Sequence, residues 1–462
     1  MKNNLDSYII DYNLIEKLNI DYIKKYKIIP INKYDLYILV ACVNNINKEK
    51  LVEIFDYPIK ILSITDEVFN SFFINIDRKI QIYKYFLKSI NVINKKDTNS
   101  SEISNFFEEL LYLSIQRKSS DIHIETQKNS LVIRFRINGI LQTIFNFDLS
   151  LYKIISSIIK SYSMLDISMH RLPQNGSFSC ILNNTDYDFR VSILPNTYGE
   201  SIVIRVLDNK NAKIKLHKIG FNEELYKIIK QNINQTQGLI LVTGPTGSGK
   251  TTTLYSMLNS ISKYDKKIIT IEDPVEYKLD DITQVSINND IGLSYEVVLK
   301  NILRQDPDVI MIGEIRDKEA LNIAIQASLT GHIVIATLHT NDAIKTINRL
   351  FDLEAKPFLV ASVLKLVISQ RLYRSLCNHC KKKQNNIFIE VGCEKCNFTG
   401  YSKRNIIAQY LQINNENIKY IEDVNSINKL YENINIKSLN EYLYEKVQDG
   451  TTSLKEYYKN EI

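Results

Sequence analysis

In several stretches between Leu131 and Asp208 apolar residues alternate with polar ones, and beyond Gly238 they gather into short unbroken runs. Alternation marks a strand with one face on a core, because successive side chains point to opposite faces. LVIRFRING places Leu131, Ile133, Phe135 and Ile137 on one face and Val132, Arg134, Arg136 and Asn138 on the other. YDFRVSIL and SIVIRVLD set Arg190 and Arg205 on equivalent polar faces. These arginines fit ordinary exposed strand positions and cations aimed at something bound equally well. The runs GLILVTG, KIITIED and DVIMIGE alternate with helical segments, the signature of a mainly parallel sheet covered on both faces.

The first 80 residues mix short helical patterns with one strand-like run, LYILVACV from Leu36 to Val43. NVINKKDTNSSE loses this periodicity, SNFFEELLYLSIQRK after it has the spacing of an amphipathic helix, and a second polar joint opens at DNKNAKIKLHKIGF. The pattern divides the chain into an α/β module at 1–90, a linker at 91–102, a sheet domain at 103–212 and a third domain at 213–462. A length of 462 residues and 44% apolar content suffice for a core in each.

Composition adds exclusions. With 58 basic and 52 acidic residues the formal charge of +6 is too mild to argue for nucleic acid or an acidic membrane. No apolar run approaches the ~18 residues of a membrane helix and MKNNLDSYIIDYN is not a secretory leader, so the expected location is the cytosol. Cys42 and Cys180 stand singly in apolar segments. The other four of the six cysteines, Cys377, Cys380, Cys393 and Cys396, form two Cys-x-x-Cys pairs, which in a reducing compartment favour a metal over disulfides.

GLILVTGPTGSGKTTTLYSML joins a buried strand to a helix through a turn that satisfies G-x-x-x-x-G-K-[ST] from Gly244 to Thr251. Three of the chain's fourteen glycines, Gly244, Gly247 and Gly249, let the backbone curl until several N–H groups face one phosphate. The helix N-terminus adds partial positive charge, Lys250 reaches the outer phosphates and the Thr251 hydroxyl ligates Mg²⁺. Pro245, Thr246, Ser248 and Thr252 complete the nucleotide-binding set.

ITIEDPVEY ends a strand with Glu272 and Asp273, and RQDPDVIMIGEIRD carries Glu314 just past its apolar run. Such strand ends share the edge of the phosphate loop, so these carboxylates are placed to hold magnesium-bound water and orient an attacking water. Gly313 stands where an aspartate is usual, which leaves that duty to Glu314. SLTGHIVIATLHTND adds His332 before a strand and His339 at its end, both candidates for sensing a terminal phosphate.

Together SSDIHIE, VIRFRINGIL, RLPQNG, FRVSILPNTYGESIVIRVLD, the phosphate loop, TIEDPVEY, RQDPDVIMIGEIRD, TGHIVIATLHTNDA, QRLYRSLC and GCEKCNFTGY resemble the secretion ATPase superfamily, specifically its type II secretion and type IV pilus-extension ATPases. The resemblance runs from near Asp121 to near Arg404. It implies an α/β fold in which a P-loop (RecA-like) ATPase domain follows a smaller α+β sheet domain and an N-terminal α/β docking domain. It further implies a homo-hexameric ring that binds ATP and Mg²⁺, with Arg134, Arg190 and Arg205 clamping the phosphates. Glu272 would polarise the attacking water, Glu314 would help hold Mg²⁺, and His332 and His339 would report on the terminal phosphate.

Retraction motors of the superfamily generally lack a four-cysteine insertion, so the insertion at 377–396 favours extension or secretion, with a closed structural Zn²⁺ site. The implied partners are inner-membrane platform and docking proteins at the cytoplasmic face, with membrane association through them and no direct contact to nucleic acid. A motor for DNA uptake on the same platform logic, a weakly hydrolysing nucleotide-binding scaffold and a cysteine ribbon that reads nucleic acid are the alternatives. The connection between the cysteine pairs is shorter than is common in the family. NIIAQYLQI also lacks the family's usual Gly and Glu, which leaves the packing of the C-terminal helices open.

Overall fold

The computed structural model describes residue 5 and residues 8–44, 46–94, 101–209, 213–423, 426–434 and 436–460. The chain forms two compact units, one of residues 1–207, 377–382 and 390–402, the other of residues 208–376, 383–389 and 403–462.

In the first unit the strands β1 (Ile28–Lys33), β2 (Ile38–Cys42) and β3 (Ile59–Ser63) form a small sheet with β2 in the middle. β1 runs antiparallel and β3 parallel to β2. The sequence pattern expects only the central strand, because β2 is buried along its whole length whereas β3 carries just partial burial. Several of the chain's many asparagines serve as helix caps: Asn19 and Asn47 each accept a hydrogen bond from the amide two residues on.

A six-stranded sheet follows, built from β4 (Ser119–Thr126), β5 (Ser130–Ile137), β6 (Ile140–Asp148), β7 (Gln174–Leu182), β8 (Thr185–Asn196) and β9 (Gly199–Asp208) in the order β6-β5-β4-β9-β8-β7. The expected amphipathic helix spans Ser101–Gln116. One continuous core links the small sheet to the large one. Phe86 packs between Phe106 and Phe147, and Tyr12 meets Phe145. The α/β module at 1–90 therefore shares its core with the sheet domain. Within the linker at 91–102, residues 95–100 lie outside the described ones, as do residues 210–212 at the second joint.

The second unit centres on a seven-stranded sheet that contains β10 (Gly238–Thr243), β11 (Ile268–Glu272), β12 (Thr283–Ser286), β13 (Val309–Ile312), β14 (Ile333–Leu338) and β15 (Leu364–Leu376). Two short strands, β16 (Lys382–Gln384) and β17 (Ile387–Ile389), pair with each other, and β18 (Tyr401–Gln412) closes the large sheet in the order β12-β11-β13-β14-β10-β15-β18. The strands from β12 through β15 run parallel, as the unbroken apolar runs require. Alternate residues of β10 enter different cores, Leu239 and Leu241 on one face, Ile240 and Val242 on the other.

Candidate nucleotide site and metal clip

Parallel pairing brings the phosphate loop, both acidic segments and His339 to one edge of the second unit's sheet. Thr243, the last residue of β10, lies level with Leu338 of β14 and Ser369 of β15, and Ile312 of β13 lies level with Ala336 and with Ile271. The loop begins at Gly244, which has φ +145°; a Cβ there would sit 2.5 Å from the Gln370 carbonyl oxygen and 2.6 Å from Ser248 Oγ. Only glycine fits that turn. The helix Lys250–Leu258 opens with left-handed Gly249 at its N-cap and has Thr251 and Thr252, both half-buried, in its first turn.

Lys250 Nζ donates to the carbonyls of Gly244 at 2.7 Å and Pro245 at 3.2 Å. Burial lowers its pKa, the nearby charge of Glu314 pulls it back up, and Arg371 pushes it down again. Glu314 is the hub of the edge. Its Oε1 lies 3.2 Å from His339 Nε2, and its Oε2 accepts from Arg316 Nε at 3.0 Å. Arg316 also donates to Asp273 at 3.2 Å, tying the ends of two strands together. A Cβ at Gly313 would lie 3.0 Å from the Ile271 carbonyl and 3.3 Å from the Tyr295 hydroxyl, so a larger residue such as aspartate needs its neighbours to shift by a few tenths of an ångström.

Two expected positions differ. Glu272 is only 4% exposed, and its carboxylate accepts from Tyr255, from Thr270 at 2.8 Å and from Gln284 at 3.1 Å. It is held between the sheet and the helix Lys250–Leu258. His332 precedes β14, level with the start of β10, where its carbonyl accepts from the Gly238 amide. It therefore lies about 20 Å, six residues of strand at ~3.3 Å each, from the edge that carries His339. Its Nδ1 instead lies 2.9 Å from the Ala327 carbonyl. The direction of the strand, already legible in the apolar run, separates the two histidines.

Two residues that the sequence reading passes over support the loop and the segment after His339. Gln370, fully buried on β15, donates to the Ser248 carbonyl at 2.9 Å and accepts from Thr253 at 2.9 Å. Arg371 donates to Asn341 at 2.8 Å and so holds the segment after His339. They lie on the extension of β15 just past its pairing with β10, a position legible only once β15 is known to adjoin β10.

In the first unit Arg134, Arg190 and Arg205 all lie on the sheet face opposite the core residues Phe135, Phe189 and Ile204. Arg134 pairs with Glu125, and Arg205 lies 3.6 Å from Asp121 with its side chain 58% exposed. Arg136 lies 3.5 Å from the other oxygen of Asp121 and 3.5 Å from His123. The face is an alternating row of acids and bases.

Cys377, Cys380, Cys393 and Cys396 converge, with their sulfurs all within 4.8 Å of one another. Three sulfur pairs stand at 3.8 Å. Four thiolates around Zn²⁺ at about 2.3 Å have sulfur separations of about 3.8 Å, whereas a disulfide needs about 2.05 Å. The donors fit a closed tetrahedral site. Amides of Gly392 and Cys393 donate to the sulfurs of Cys380 and Cys396. The sequence division puts this insertion with the phosphate-loop domain, but the cysteine-bearing segments pack in the first unit, where Asn138 donates to the Tyr401 carbonyl and Gln142 to that of Asn397.

A family profile described as type II/IV secretion system protein matches residues 96–459. The type II secretion system protein E of Aeromonas hydrophila is 43% identical over 321 residues, 66% of this chain and 64% of its own. The type IV pilus assembly ATPase PilB of Myxococcus xanthus is 39% identical over 375 residues, 76% of this chain and 66% of its own. The chain thus spans just under two thirds of these relatives. The type II secretion system ATPase E of Vibrio cholerae is 39% identical over 362 residues, 74% of this chain and 72% of its own. Among solved structures, the ATPase DotB of Legionella pneumophila has the same fold at a TM-score of 0.60 and 21% identity, covering 77% of this chain and 94% of that one. The pilus retraction motor PilT with bound ADP superposes at 0.55 with 26% identity, covering 76% and 96%.

Proposed function

Because this chain belongs to the type II/IV secretion system protein family, we propose that it is an ATP-hydrolysing hexameric motor for pilus or pseudopilus assembly. The observation that carries this reading is the meeting of Lys250, Glu314, His339, Arg316 and Asp273 on one sheet edge beside a complete phosphate loop. In it Lys250 exchanges the loop carbonyls for phosphate oxygens, the loop amides and helix N-terminus hold the β-phosphate, and His339 follows the terminal phosphate through Glu314. Thr251 and Glu314 are the residues that would hold Mg²⁺, which neutralises charge on the phosphates. Arg134, Arg190 and Arg205 share one sheet face, with Arg134 beside Glu125 and Arg205 beside Asp121, and that common face supports their assignment as the phosphate clamp.

The attacking water needs a carboxylate with an accessible lone pair, and the burial of Glu272 speaks against that residue as base. Glu314, which stands on the edge beside His339 and Lys250, takes the water-orienting role as well as helping to hold Mg²⁺, while Glu272 anchors β11. The four cysteines hold a structural Zn²⁺, and membrane platform and docking proteins of a secretion or pilus system at the cytoplasmic face are the partners.

Turnover of purified protein is the decisive measurement. Lys250→Ala is expected to abolish ATP hydrolysis; turnover indifferent to that change ends the motor reading. Scoring filaments, secreted proteins and DNA uptake in a deletion strain identifies the machine served.

A further inference from the structure

Arg117 follows the helix Ser101–Gln116 and is only 2% exposed, yet among the described residues no carboxylate lies within ion-pair distance of it. Its Nη2 donates to Gln142 at 2.8 Å and its Nε is buried without a hydrogen-bond partner. A buried charge of this kind is costly unless an opposite charge compensates it. Arg117 lines a cavity of about 230 Å³ whose other walls include Lys118, Glu394, Lys395 and Cys396. The two lysines outnumber the single acid there, so the walls alone offer Arg117 no net negative charge. Cys396 is the exception. With a metal bound, four thiolates around a dication leave about two negative charges across that cavity.

We propose that Arg117 is the countercharge of the metal-loaded four-cysteine clip and, through Gln142, the post that holds it against the six-stranded sheet. This rests on the reading of the cysteines as a zinc site. Gln142 takes the guanidinium hydrogen bond on its oxygen and passes its own N–H to the Asn397 carbonyl at 3.2 Å. Asn397 adopts a left-handed conformation directly after Cys396, and the next carbonyl contact to the sheet, Asn138 to Tyr401, lies just beyond. Metal ligation shapes the segment whose carbonyls the sheet grips, and Arg117 sets the orientation of one of the gripping amides. Burial alone lowers the Arg117 pKa to about 10, which agrees with a cation lacking a carboxylate partner.

The test starts with zinc content. Full-length protein is expected to carry one zinc, and its absence removes the metal reading and this inference together. Given bound zinc, Arg117→Gln is expected to speed zinc transfer to a chromogenic chelator by about 10–100-fold, the usual effect of losing an outer partner of a metal site. Arg117→Lys, which keeps the charge, is expected to recover part of that loss, and Gln142→Leu to reproduce part of it. Thermal unfolding separates this from plain packing: Arg117→Gln is expected to lower Tm of zinc-loaded protein and to leave Tm of stripped protein unchanged or higher. Should Arg117→Gln give too little folded protein, Arg117→Lys and Gln142→Leu carry the comparison. Zinc release at the wild-type rate from all three variants, or an equal Tm loss with and without zinc, overturns the proposal.

Discussion

Gln370 is neither acid nor cation, yet the phosphate loop leans on it through hydrogen bonds to Ser248 and Thr253. Replacing it with leucine strands the Ser248 carbonyl, so Gln370→Leu is expected to cost about 1–3 kcal/mol of stability in denaturant titrations and to raise KM for ATP. Glu314 and Glu272 divide differently. Glu314→Gln is expected to lower kcat by about 10²–10⁴ with little change in unfolding, the signature of a lost general base. Glu272→Gln, by contrast, is expected to show mainly in thermal unfolding, because its carboxylate serves three donors in the protein interior. Equal kcat losses in both would return the base to Glu272. At Glu200, burial raises the carboxyl pKa, but bonds from Lys160, Ser156 and His170 outweigh it and hold the group below its ordinary 4.5. A depressed carboxylate stabilises the fold above that value and loses its contribution as pH falls through the lower, folded one. Glu200→Gln is therefore expected to flatten the acid limb of stability against pH, measured by denaturant titrations below 4.5.

At the scale of elements, the C-terminal helices answer a question that their own sequence leaves open. Glu456 of the helix Leu454–Asn460 is buried and accepts from the backbone amide of Arg374 at 3.0 Å and from its Nε at 2.7 Å, while Thr452 donates to the Arg374 carbonyl. The missing Gly and Glu after Arg404 are thus no obstacle: strand β15 provides the anchor. Glu456→Ala removes the carboxylate that neutralises the buried Arg374 guanidinium and is expected to cost about 3–5 kcal/mol, with hydrogen exchange rising first in residues 439–460. The strands show what periodicity can and cannot reveal. β10, β13 and β14 are buried throughout and legible alone, whereas β1 and β3 of the small sheet are recognisable only beside β2.

For the molecule as a whole, the chain order of motifs and their grouping by contact differ. The cysteine clip continues β15 in sequence but packs with residues 1–207. Removing zinc is accordingly expected to lower the unfolding transition of that unit while nucleotide affinity, built on β10 and its loop, changes little; calorimetry and equilibrium binding with and without chelator check this. By itself the sequence determined the two sheet types, the phosphate loop, the acidic strand ends and the four-cysteine cluster, because alternation, unbroken apolar runs and glycine spacing are local and report directly on strand faces and tight turns. Only the tertiary structure decided that Glu272 points inward, that His332 sits at the far edge, that Gln370 braces the nucleotide loop and Arg371 the segment after His339, and that Arg117 and Cys396 line one cavity. Each of those depends on which distant segment lies alongside, and a pairing between residues a hundred positions apart leaves no period in either one.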